Sequence, residues 1–345
     1  MPTTVARPDV AASVARPAGT VTEHRGRVMG TDLHLVAVGT PRAGRDAVAR
    51  ALARLDLLEA RWSRFRPTSE LSRAAAAAGS WVDVSEDTVR LVAAGLTAHV
   101  RTGGRCDPTG GAAIAAAGYD RDLDERRRLG PAARRPARPF PGPDGVELDV
   151  RARRLRLARG TVLDAGAVGK GLAADLVVEE LLGVGETARP ATGSYATDVV
   201  DGLDGLCVNV GGDLRAAGRP PYGDDAWGVD VVLPADAAGV PGATRWSLRE
   251  GAVATSSSLR RVWDTDAGPA HHVLDPRTGA PAVDPPALVS VHAGAAWWAE
   301  ASATALMLLD APARAAWVAT ADVAAIVIGS DGERTEYGPV AGRLA

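Results

Sequence analysis

The sequence predicts an α+β fold, and three stretches of the chain support this prediction. Residues 27–38 alternate apolar and polar side chains as a half-buried strand does, and residues 45–64 carry apolar side chains at helical spacing. Residues 161–182 have the pattern of a strand end, a glycine turn and a helix. Residues 206–210 form a short apolar run, typical of a buried strand, that ends in a glycine turn. With 345 residues, the chain can bury an ample core between such elements.

In the first half of the chain, the signals that end one element and begin the next are clear. The first helix must stop before Pro67, which cannot continue it, and Ser69 can cap a short following turn. A second helix is predicted at 85–102 and a hairpin at 146–150 with 155–157. The remaining predicted elements are a strand end at 161–164, a helix at 170–182, sheet strands at 206–210, 214–217 and 227–233, and a helix at 295–309.

The domain organisation follows from composition. Residues 1–26 are rich in Ala, Pro, Thr and Arg and predict a flexible N-terminal tail. They contain no continuous apolar run and no lipid-attachment cysteine, so we expect neither a signal peptide nor a lipid anchor, and a cytoplasmic location. Residues 27–345 are interpreted as a single domain with loop excursions near 120–143 and 183–205, and no chemistry is assigned to the first excursion.

Bulk charge and cysteine content exclude several classes of protein. The 39 basic and 42 acidic residues give a net charge of −3, which argues against a general nucleic-acid binder. No stretch approaches the ~20 uncharged apolar residues of a membrane span, so no membrane insertion is expected. Cys106 and Cys207 are too few for a disulfide framework, and buried thiols are the simplest interpretation of both.

Two residue types that occur only once mark the expected site. Lys170 is the only lysine of an arginine-rich chain, and it lies between a glycine turn and a helix start, where a compact ammonium can face phosphate. Asn209 is the only asparagine and precedes a Gly-Gly-Asp turn. Chance survival of two surface residues is the alternative interpretation.

Polar groups in the last third of the chain suggest a metal and a base. On the predicted helix, Glu300 and Thr304 are four residues apart and share one face, so both could bind one oxygen-seeking cation. An exposed glutamate beside a threonine that bonds its own helix is the simpler alternative. His271 and His272 precede an expected turn, where a histidine pair more often faces solvent. Phe65, alone in a polar connector, is more often a core anchor than a ligand contact.

The order of these motifs resembles the ApbE family of flavin transferases, which move FMN from FAD onto a threonine or serine of a target protein. The resemblance covers about residues 27–309, and its histidine and lysine motifs are the specific ones. The matching segments are Met29–Thr31, Ser63–Ser72, Asp107–Thr109, Leu163–Gly171 with Asp175, Val208–Asp213, Ala254–Ser256, His272–Gly279 and Ala299–Thr304. The resemblance implies an ApbE-like fold of two related α+β (T-fold-like) halves with the FAD site between them.

The resemblance also implies roles for individual residues. As catalytic residues it implies His272 as the base, Asp275 as the group that orients it, and Lys170 on the phosphate. For Mg²⁺ it implies the backbone carbonyl of Ala167, the carboxylate of Glu300 and the hydroxyl of Thr304. The residues implied to bind FAD are Met29, Gly30, Thr31, Phe65, Glu70, Arg105, Cys106, Asp107, Asp164, Lys170, Asn209, Gly211, Gly212, Thr255, Ser256 and Leu274.

The chain departs from the family pattern at two positions. Glu300 stands where the family more often has aspartate, so a side chain one methylene longer must reach the metal. Ser257 stands where the family's Thr-Ser-Gly motif has glycine. This replacement changes a turn without removing a reactive group. Many family members are exported, so that location is an alternative implied by the resemblance.

The expected function is therefore an FAD:protein FMN transferase that uses Mg²⁺ and releases AMP, with FAD and an acceptor protein as its partners. The nearest alternative is an FAD pyrophosphatase, in which water replaces the acceptor hydroxyl. A non-catalytic flavin-binding module is the alternative from another class, and it would leave FAD intact in the presence of Mg²⁺. A scaffolding protein would leave the single lysine, the single asparagine and the ordered motifs unexplained.

Overall fold

A computed structural model describes residues 19–121, 123–184, 199–231, 244–266 and 268–340. The strands are β1 (Thr20–Val28), β2 (Thr31–Gly39), β3 (Val82–Asp83), β4 (Val146–Asp149), β5 (Arg154–Leu157), β6 (Leu203–Val210), β7 (Asp213–Gly218), β8 (Trp227–Val231), β9 (Thr244–Leu248), β10 (Gly251–Ser257), β11 (Val262–Thr265), β12 (Gly268–His271), β13 (Leu288–Ala293), β14 (Ala324–Ile328) and β15 (Arg334–Tyr337). The helices are α1 (Pro41–Trp62), α2 (Glu70–Ala76), α3 (Glu86–Arg101), α4 (Gly111–Ala116), α5 (Leu123–Arg128), α6 (Gly169–Leu182), α7 (Ala296–Met307) and α8 (Ala311–Ala321).

One antiparallel sheet organises the described residues. Its eight strands lie in the order β1-β2-β6-β7-β10-β13-β14-β15. The first half supplies β1, β2, α1, α6, β6 and β7, and the second supplies β10, β13, α7, α8, β14 and β15. Both halves thus have the chain order strand, strand, helix, helix, strand, strand, with the same spatial order of strands. The prediction of an α+β fold with two related halves is confirmed.

The two faces of this sheet are covered by different elements. Helix α1 packs on β1 and β2, α6 packs on β6 and β7, and α7 packs on β10 and β13. Leu35, Leu55 and Leu176 are fully buried in the core between these helices and the sheet. The hairpin β8–β9 covers the other face, where fully buried Trp246 donates a hydrogen bond to Ser290 Oγ at 3.0 Å. Residues 227–233 were expected to extend the main sheet, but β8 pairs with β9 in a separate sheet, and residues 232–233 lie outside the described part.

The N-terminal prediction needs a correction. Residues 20–26 are not tail but part of β1, which pairs with β2 along its whole length. Met29 and Gly30 form the connecting turn, with φ of 52° and 68°, as a tight two-residue hairpin requires. The alternating pattern at 27–38 therefore crosses a turn. β1 is polar and lies at the sheet edge, so its composition is that of an unstructured segment.

The predicted helices are confirmed with small shifts at their ends. α1 starts earlier than expected because Thr40 accepts a hydrogen bond from Ala43 N at 3.2 Å and Pro41 occupies the first turn. Ser69 and Ser85 cap α2 and α3 in the same way. The expected strand end at 161–164 is wrong. Only one bridge forms there, between Gly110 and Val162.

The excursion at 120–143 is largely exposed, as expected, but it is anchored to the second half of the chain at two points. Ala132 N donates to Asp264 O at 2.8 Å, and Phe140 N donates to Pro276 O at 2.8 Å. These bonds join an insertion in the first half to the hairpin β11–β12 in the second. A small apolar core, here called the bridging cluster, lies beneath them and consists of Ala117, Ala132, Trp263, Ala270 and Leu274.

Of the second expected excursion, residues 185–198 lie outside the described part of the chain, and its end, from residue 203, belongs to β6. Among the helices that the structure describes, none is long and apolar enough to cross a membrane.

Candidate active site

A cavity of about 1390 Å³ lies where the two halves meet. It is lined by the β1–β2 and β6–β7 turns of the first half, the start of α6, and β10 and α7 of the second half. The predicted site residues that line it are Met29, Gly30, Thr31, Phe65, Arg105, Asp107, Asp164, Ala167, Lys170, Asn209, Gly211, Gly212, Thr255, Ser256, His272, Leu274, Glu300 and Thr304. The folded chain thus brings most of the predicted residues to one place. Glu70, Cys106 and Asp275 are not part of this lining.

A buried charge cluster forms one wall of the cavity. Lys170 Nζ donates hydrogen bonds to Asp213 Oδ2 and Glu300 Oε1. Glu300 Oε2 also accepts a bond from Gly171 N at 2.9 Å, and Asp213 Oδ1 accepts one from Thr255 N at 3.3 Å. Asp213 and Glu300 are each only 3 % exposed. The alternatives of a chance surface lysine and an exposed glutamate are therefore wrong.

The balance of charge in this cluster sets its protonation. Burial opposes the ammonium of Lys170, but the carboxylates of Asp213 and Glu300 outweigh this effect and raise its pKa above the usual value. Burial, with the nearby charge of Asp213, raises the pKa of Glu300 to about 7, although Lys170 acts in the opposite direction. One ammonium faces two carboxylates, so the cluster retains negative charge that a further cation can neutralise.

The cluster lies at the joint of the sheet. Strands β7 and β10 pair at only three positions, and the last of these joins Leu214 to Val253. Beyond this point β10 continues, and the Asp213 carboxylate takes the place of a strand partner by accepting from Thr255 N. The pairing between the two halves therefore ends next to Asp213, the residue that Lys170 contacts.

Asp175 fixes the helix that carries Glu300. Its carboxylate, on α6, accepts hydrogen bonds from Ala296 N at 2.9 Å and Trp297 N at 3.0 Å, the first amides of α7. Burial raises the pKa of Asp175 to about 7, against the effect of these two bonds. Asp175 of the first half thus positions the helix of the second half that carries Glu300 and Thr304.

The donors implied for Mg²⁺ are of the right chemical type. The carboxylate of Glu300, the hydroxyl of Thr304 and the carbonyl of Ala167 are hard oxygen ligands on residues that line the same cavity. The negative charge left by Asp213 and Glu300 beside one lysine also suits a cation. Cys106 is buried behind these groups, with its Sγ 3.7 Å from Ala167 O. Burial raises the pKa of this thiol, which therefore stays protonated.

His272 follows directly on β12 and lines the cavity. Its Nδ1 is buried and has no hydrogen-bond partner within the described residues. The backbone of Arg260 bonds the ring. Burial, with the charges of Arg261, Lys170 and His271, lowers the pKa of His272 to about 3, so in the unliganded protein the imidazole is neutral and a weak base.

The expectation that Asp275 orients His272 is not met by the geometry. The Asp275 carboxylate accepts from Arg277 N at 2.9 Å, Nε at 3.0 Å and Nη2 at 2.7 Å. In a tight turn such local bonds form readily, and Asp275 does not line the cavity. Glu70 is also engaged elsewhere, because it accepts from Ser85 N at 2.9 Å and Ser85 Oγ at 2.8 Å and so joins α2 to α3.

Phe65 and Tyr119 also line the cavity and form what is here called the aromatic wall. Phe65 is 38 % exposed, so it is not the core anchor that its type favours. Its ring meets Tyr119 edge-on at 5.7 Å between centroids, and Tyr119 stacks on Trp263 at 5.2 Å. The Arg64 guanidinium lies 4.2 Å from the Phe65 centroid and forms an ion pair with Asp164 at 3.4 Å. This wall suits a planar aromatic ligand.

The β6–β7 turn explains the single asparagine. Asn209 Oδ1 accepts a hydrogen bond from Gly212 N at 2.9 Å and so holds the turn. Gly211 and Gly212 have φ of 67° and 100°, which side chains rarely adopt. A Cβ at Gly211 would lie 2.4 Å from Thr31 Oγ1, so the two turns at this end of the cavity touch only because glycine is present.

Asp107 holds the loop before α4. Its Oδ1 accepts from Thr109 N at 2.8 Å and Thr109 Oγ1 at 2.6 Å, while Oδ2 lies 3.3 Å from His99 Nδ1. Sequence reasoning gave no role to several cavity residues, among them Arg64, Tyr119, Asp213 and Arg261. Arg64 and Asp213 lie within segments that match the motifs, and Asp213 also follows a Gly-Gly pair. Tyr119 and Arg261 come to the cavity through tertiary packing.

Comparison with known proteins now identifies the family. Residues 29–188 and 195–327 match the ApbE family. The chain belongs to the ApbE family. This confirms the resemblance inferred from the order of the motifs.

Individual ApbE-family relatives agree with the match. The chain is 30 % identical over 259 residues to an FAD:protein FMN transferase of Rhodobacter capsulatus, covering 74 % of this chain but only 45 % of that protein. It is 27 % identical over 307 residues to an FAD:protein FMN transferase of Klebsiella pneumoniae (strain 342), covering 87 % of this chain and 82 % of that protein.

Solved ApbE structures share the fold. The ApbE protein of Thermotoga maritima superposes with a TM-score of 0.73 at 23 % identity, over 92 % of this chain and 97 % of that one. The flavinyl transferase ApbE of Pseudomonas stutzeri, in its apo form, gives 0.70 at 23 % identity, over 93 % and 95 %. The ApbE-like fold predicted from the motifs is therefore confirmed.

Proposed function

We propose that this protein is an FAD:protein FMN transferase that moves FMN from FAD to a threonine or serine hydroxyl of an acceptor protein and releases AMP. One observation carries the proposal. The buried cluster of Lys170, Asp213 and Glu300, the aromatic wall and His272 all line one cavity. The Nδ1 atom of His272 is buried and has no hydrogen-bond partner among the described residues. Family membership supports this reading, because two relatives carry the same activity in their names.

The proposed reaction is a phosphoryl transfer. The acceptor hydroxyl oxygen bonds to the FMN-side phosphorus of FAD, the bond from that phosphorus to the bridging oxygen breaks, and AMP leaves with the electron pair. His272 accepts the hydroxyl proton at Nδ1, because that nitrogen has no described partner and the neutral ring is the form favoured at physiological pH. Such assistance typically speeds a reaction by about 10²–10⁴-fold.

The start of α6 provides the anion site. Gly169 and Lys170 begin this helix and line the cavity, and the amides of a first turn favour negative charge. The Lys170 ammonium adds a compact charge fixed by two carboxylates, so it cannot swing away from the phosphates. The aromatic wall of Phe65 and Tyr119 would hold the flavin ring.

We further propose that Glu300, Thr304 and the Ala167 carbonyl hold Mg²⁺. When bound, the ion would neutralise charge on the phosphate oxygens. Glu300 would then be shared between the ion and Lys170, so the carboxylate fixes both cations relative to the start of α6.

The test uses the intact protein with FAD, Mg²⁺ and candidate acceptor proteins that carry an exposed Ser/Thr segment. Flavin that precipitates with the acceptor in acid, with AMP in solution and a mass increase equal to one FMN phosphoester, supports transfer. Free FMN and AMP in equal amounts would instead establish a pyrophosphatase. FAD that binds and stays intact would establish a non-catalytic flavin-binding module.

A further inference from the structure

Arg261 occupies an unusual position at the edge of the cavity. It directly precedes β11, whose first residue, Val262, pairs with His271 at the end of β12. The next position on each strand is Arg261 on one side and His272 on the other, so the antiparallel register places the two opposite each other. Both residues line the cavity.

The backbone of Arg261 is held in a strained conformation. Its φ is 52°, in the left-handed region that side chains other than Gly and Asn rarely adopt. The preceding loop is anchored, because Ser257 Oγ donates to Ala287 O at 2.7 Å and Ser258 Oγ donates to Pro286 O at 2.9 Å. Strain that the surrounding structure maintains is often found at functional sites.

The charge of Arg261 is not neutralised by the described residues. No described carboxylate forms an ion pair with it, whereas Lys170 is held by both Asp213 and Glu300. The effect of this free charge extends to its neighbours, because Arg261 disfavours the charged forms of both His272 and Lys170. The cavity therefore contains a guanidinium that an incoming anion can pair with.

We propose that Arg261 is a catalytic residue that binds the pyrophosphate of FAD and stabilises the negative charge that develops as AMP leaves. This inference rests on the proposed transferase function. Arg261 gives up no proton and forms no covalent bond. As the bond to the bridging oxygen breaks, the electron pair passes to the AMP phosphate, and the planar guanidinium can hold two phosphate oxygens at once.

This role differs from that of Lys170. The lysine is fixed within the wall by two carboxylates, so its charge is largely balanced before any ligand binds. Arg261 is balanced only when the ligand arrives. Pyrophosphate would also shield His272 from the charge of Arg261, so the imidazole would become a stronger base when the substrate is in place.

The chain contains a matched control for testing Arg261. Arg153 has φ of 51°, almost the same as that of Arg261, but it is exposed in the β4–β5 hairpin and does not line the cavity. Glycine relieves the strain at either position, so both Arg261→Gly and Arg153→Gly should fold with an unchanged or higher Tm. Only Arg261→Gly removes a ligand contact.

The first measurement is calorimetric binding of inorganic pyrophosphate and of ADP in chelator-treated buffer. Arg261→Gly should bind both about 10- to 100-fold more weakly than wild type, the usual effect of losing bonds to a charged group, and Arg153→Gly should bind as wild type. Arg261→Lys should be intermediate. Equal affinity in wild type and Arg261→Gly, or no binding to either, would overturn the proposal.

The second measurement is single-turnover cleavage of FAD with Mg²⁺ and acceptor. By analogy with arginines that act on transferring phosphates, Arg261→Gly should be at least about 10³-fold slower, with partial rescue by added guanidinium and none by urea. A wild-type rate in Arg261→Gly would refute the role of Arg261 in catalysis but leave the proposed transferase function standing. A wild-type protein that cleaves no FAD refutes the proposed function, while pyrophosphate binding still decides whether Arg261 is an anion site.

Discussion

Removal of the Lys170 charge should destabilise the fold strongly. In Lys170→Met, Asp213 and Glu300 remain buried, each 3 % exposed, without the ammonium that neutralises them. Breaking a buried ion pair by removing one partner typically costs about 3–5 kcal/mol. We expect the free energy of unfolding to fall by that amount.

The size of this fall in the free energy of unfolding depends on how deeply the ion pair is buried and not on the number of ion pairs. Met keeps the length of the lysine stem, so little packing is lost and the effect is electrostatic. The exposed pair of Arg154 and Asp149 provides the control, because their side chains are 41 % and 35 % exposed. Arg154→Met should lower stability by no more than about 1 kcal/mol.

The assay is urea unfolding at fixed pH in chelator-treated buffer. The triple variant Lys170→Met, Asp213→Asn, Glu300→Gln removes all three charges. It keeps an acceptor oxygen for Thr255 N and for Gly171 N, so it should recover most of the stability lost in Lys170→Met. A loss below about 1 kcal/mol in Lys170→Met, or a triple variant no more stable than the single one, would refute the reasoning.

Three predictions concern activity. Glu300→Ala should abolish Mg²⁺-dependent turnover but spare much of the FAD affinity, measured by flavin fluorescence, because the aromatic wall that would hold the flavin does not include Glu300. Full activity of this variant in chelator-treated buffer would contradict the metal assignment. Lys170→Arg should bind FAD more weakly and turn over more slowly, because a planar guanidinium cannot occupy the same place between Asp213 and Glu300; wild-type values would show that the site accepts any cation. His272→Ala should bind FAD almost as wild type yet transfer at least about 10²-fold more slowly, with His271→Ala milder. Since the pKa of His272 is lowered to about 3, the imidazole stays in its basic form as pH falls, and kcat/KM should show no His272 limb near the ordinary value of about 6.5; such a limb, lost in His272→Ala, would show that the free protein holds a more basic histidine.

Much of the site could be predicted because its residues are rare types beside glycine turns. Lys170 and Asn209 stood out in the sequence, and both line the cavity, Lys170 in the first turn of α6 and Asn209 near the end of β6. The partners of Lys170 could not be inferred from local pattern. Lys170 contacts Asp213 and Glu300 at separations of 43 and 130 positions, and only the strand order of the sheet brings these together.

The errors have local physical causes. Residues 20–26 of β1 have the composition of a tail because a strand at the sheet edge needs few apolar residues, and pairing with β2 holds them in place. Asp275 was assigned to His272 by motif position, but the bonds to Arg277 form within the turn itself. Arg261 has no signal at all, because nothing in its neighbours reveals a left-handed backbone.

The position of the site follows from how two similar halves are joined. Within each half, the strands can pair along much of their length, but β7 and β10 pair at only three positions before they part. The gap is closed by side chains: Asp213 from the first half, Glu300 from the second, and Lys170 between them. The charged groups that hold the joint are thus the groups proposed to bind phosphate and metal. Substitutions that weaken catalysis here should also loosen the joint, whereas Arg261 lies outside this network, so its substitution should weaken ligand binding and catalysis and leave the joint intact.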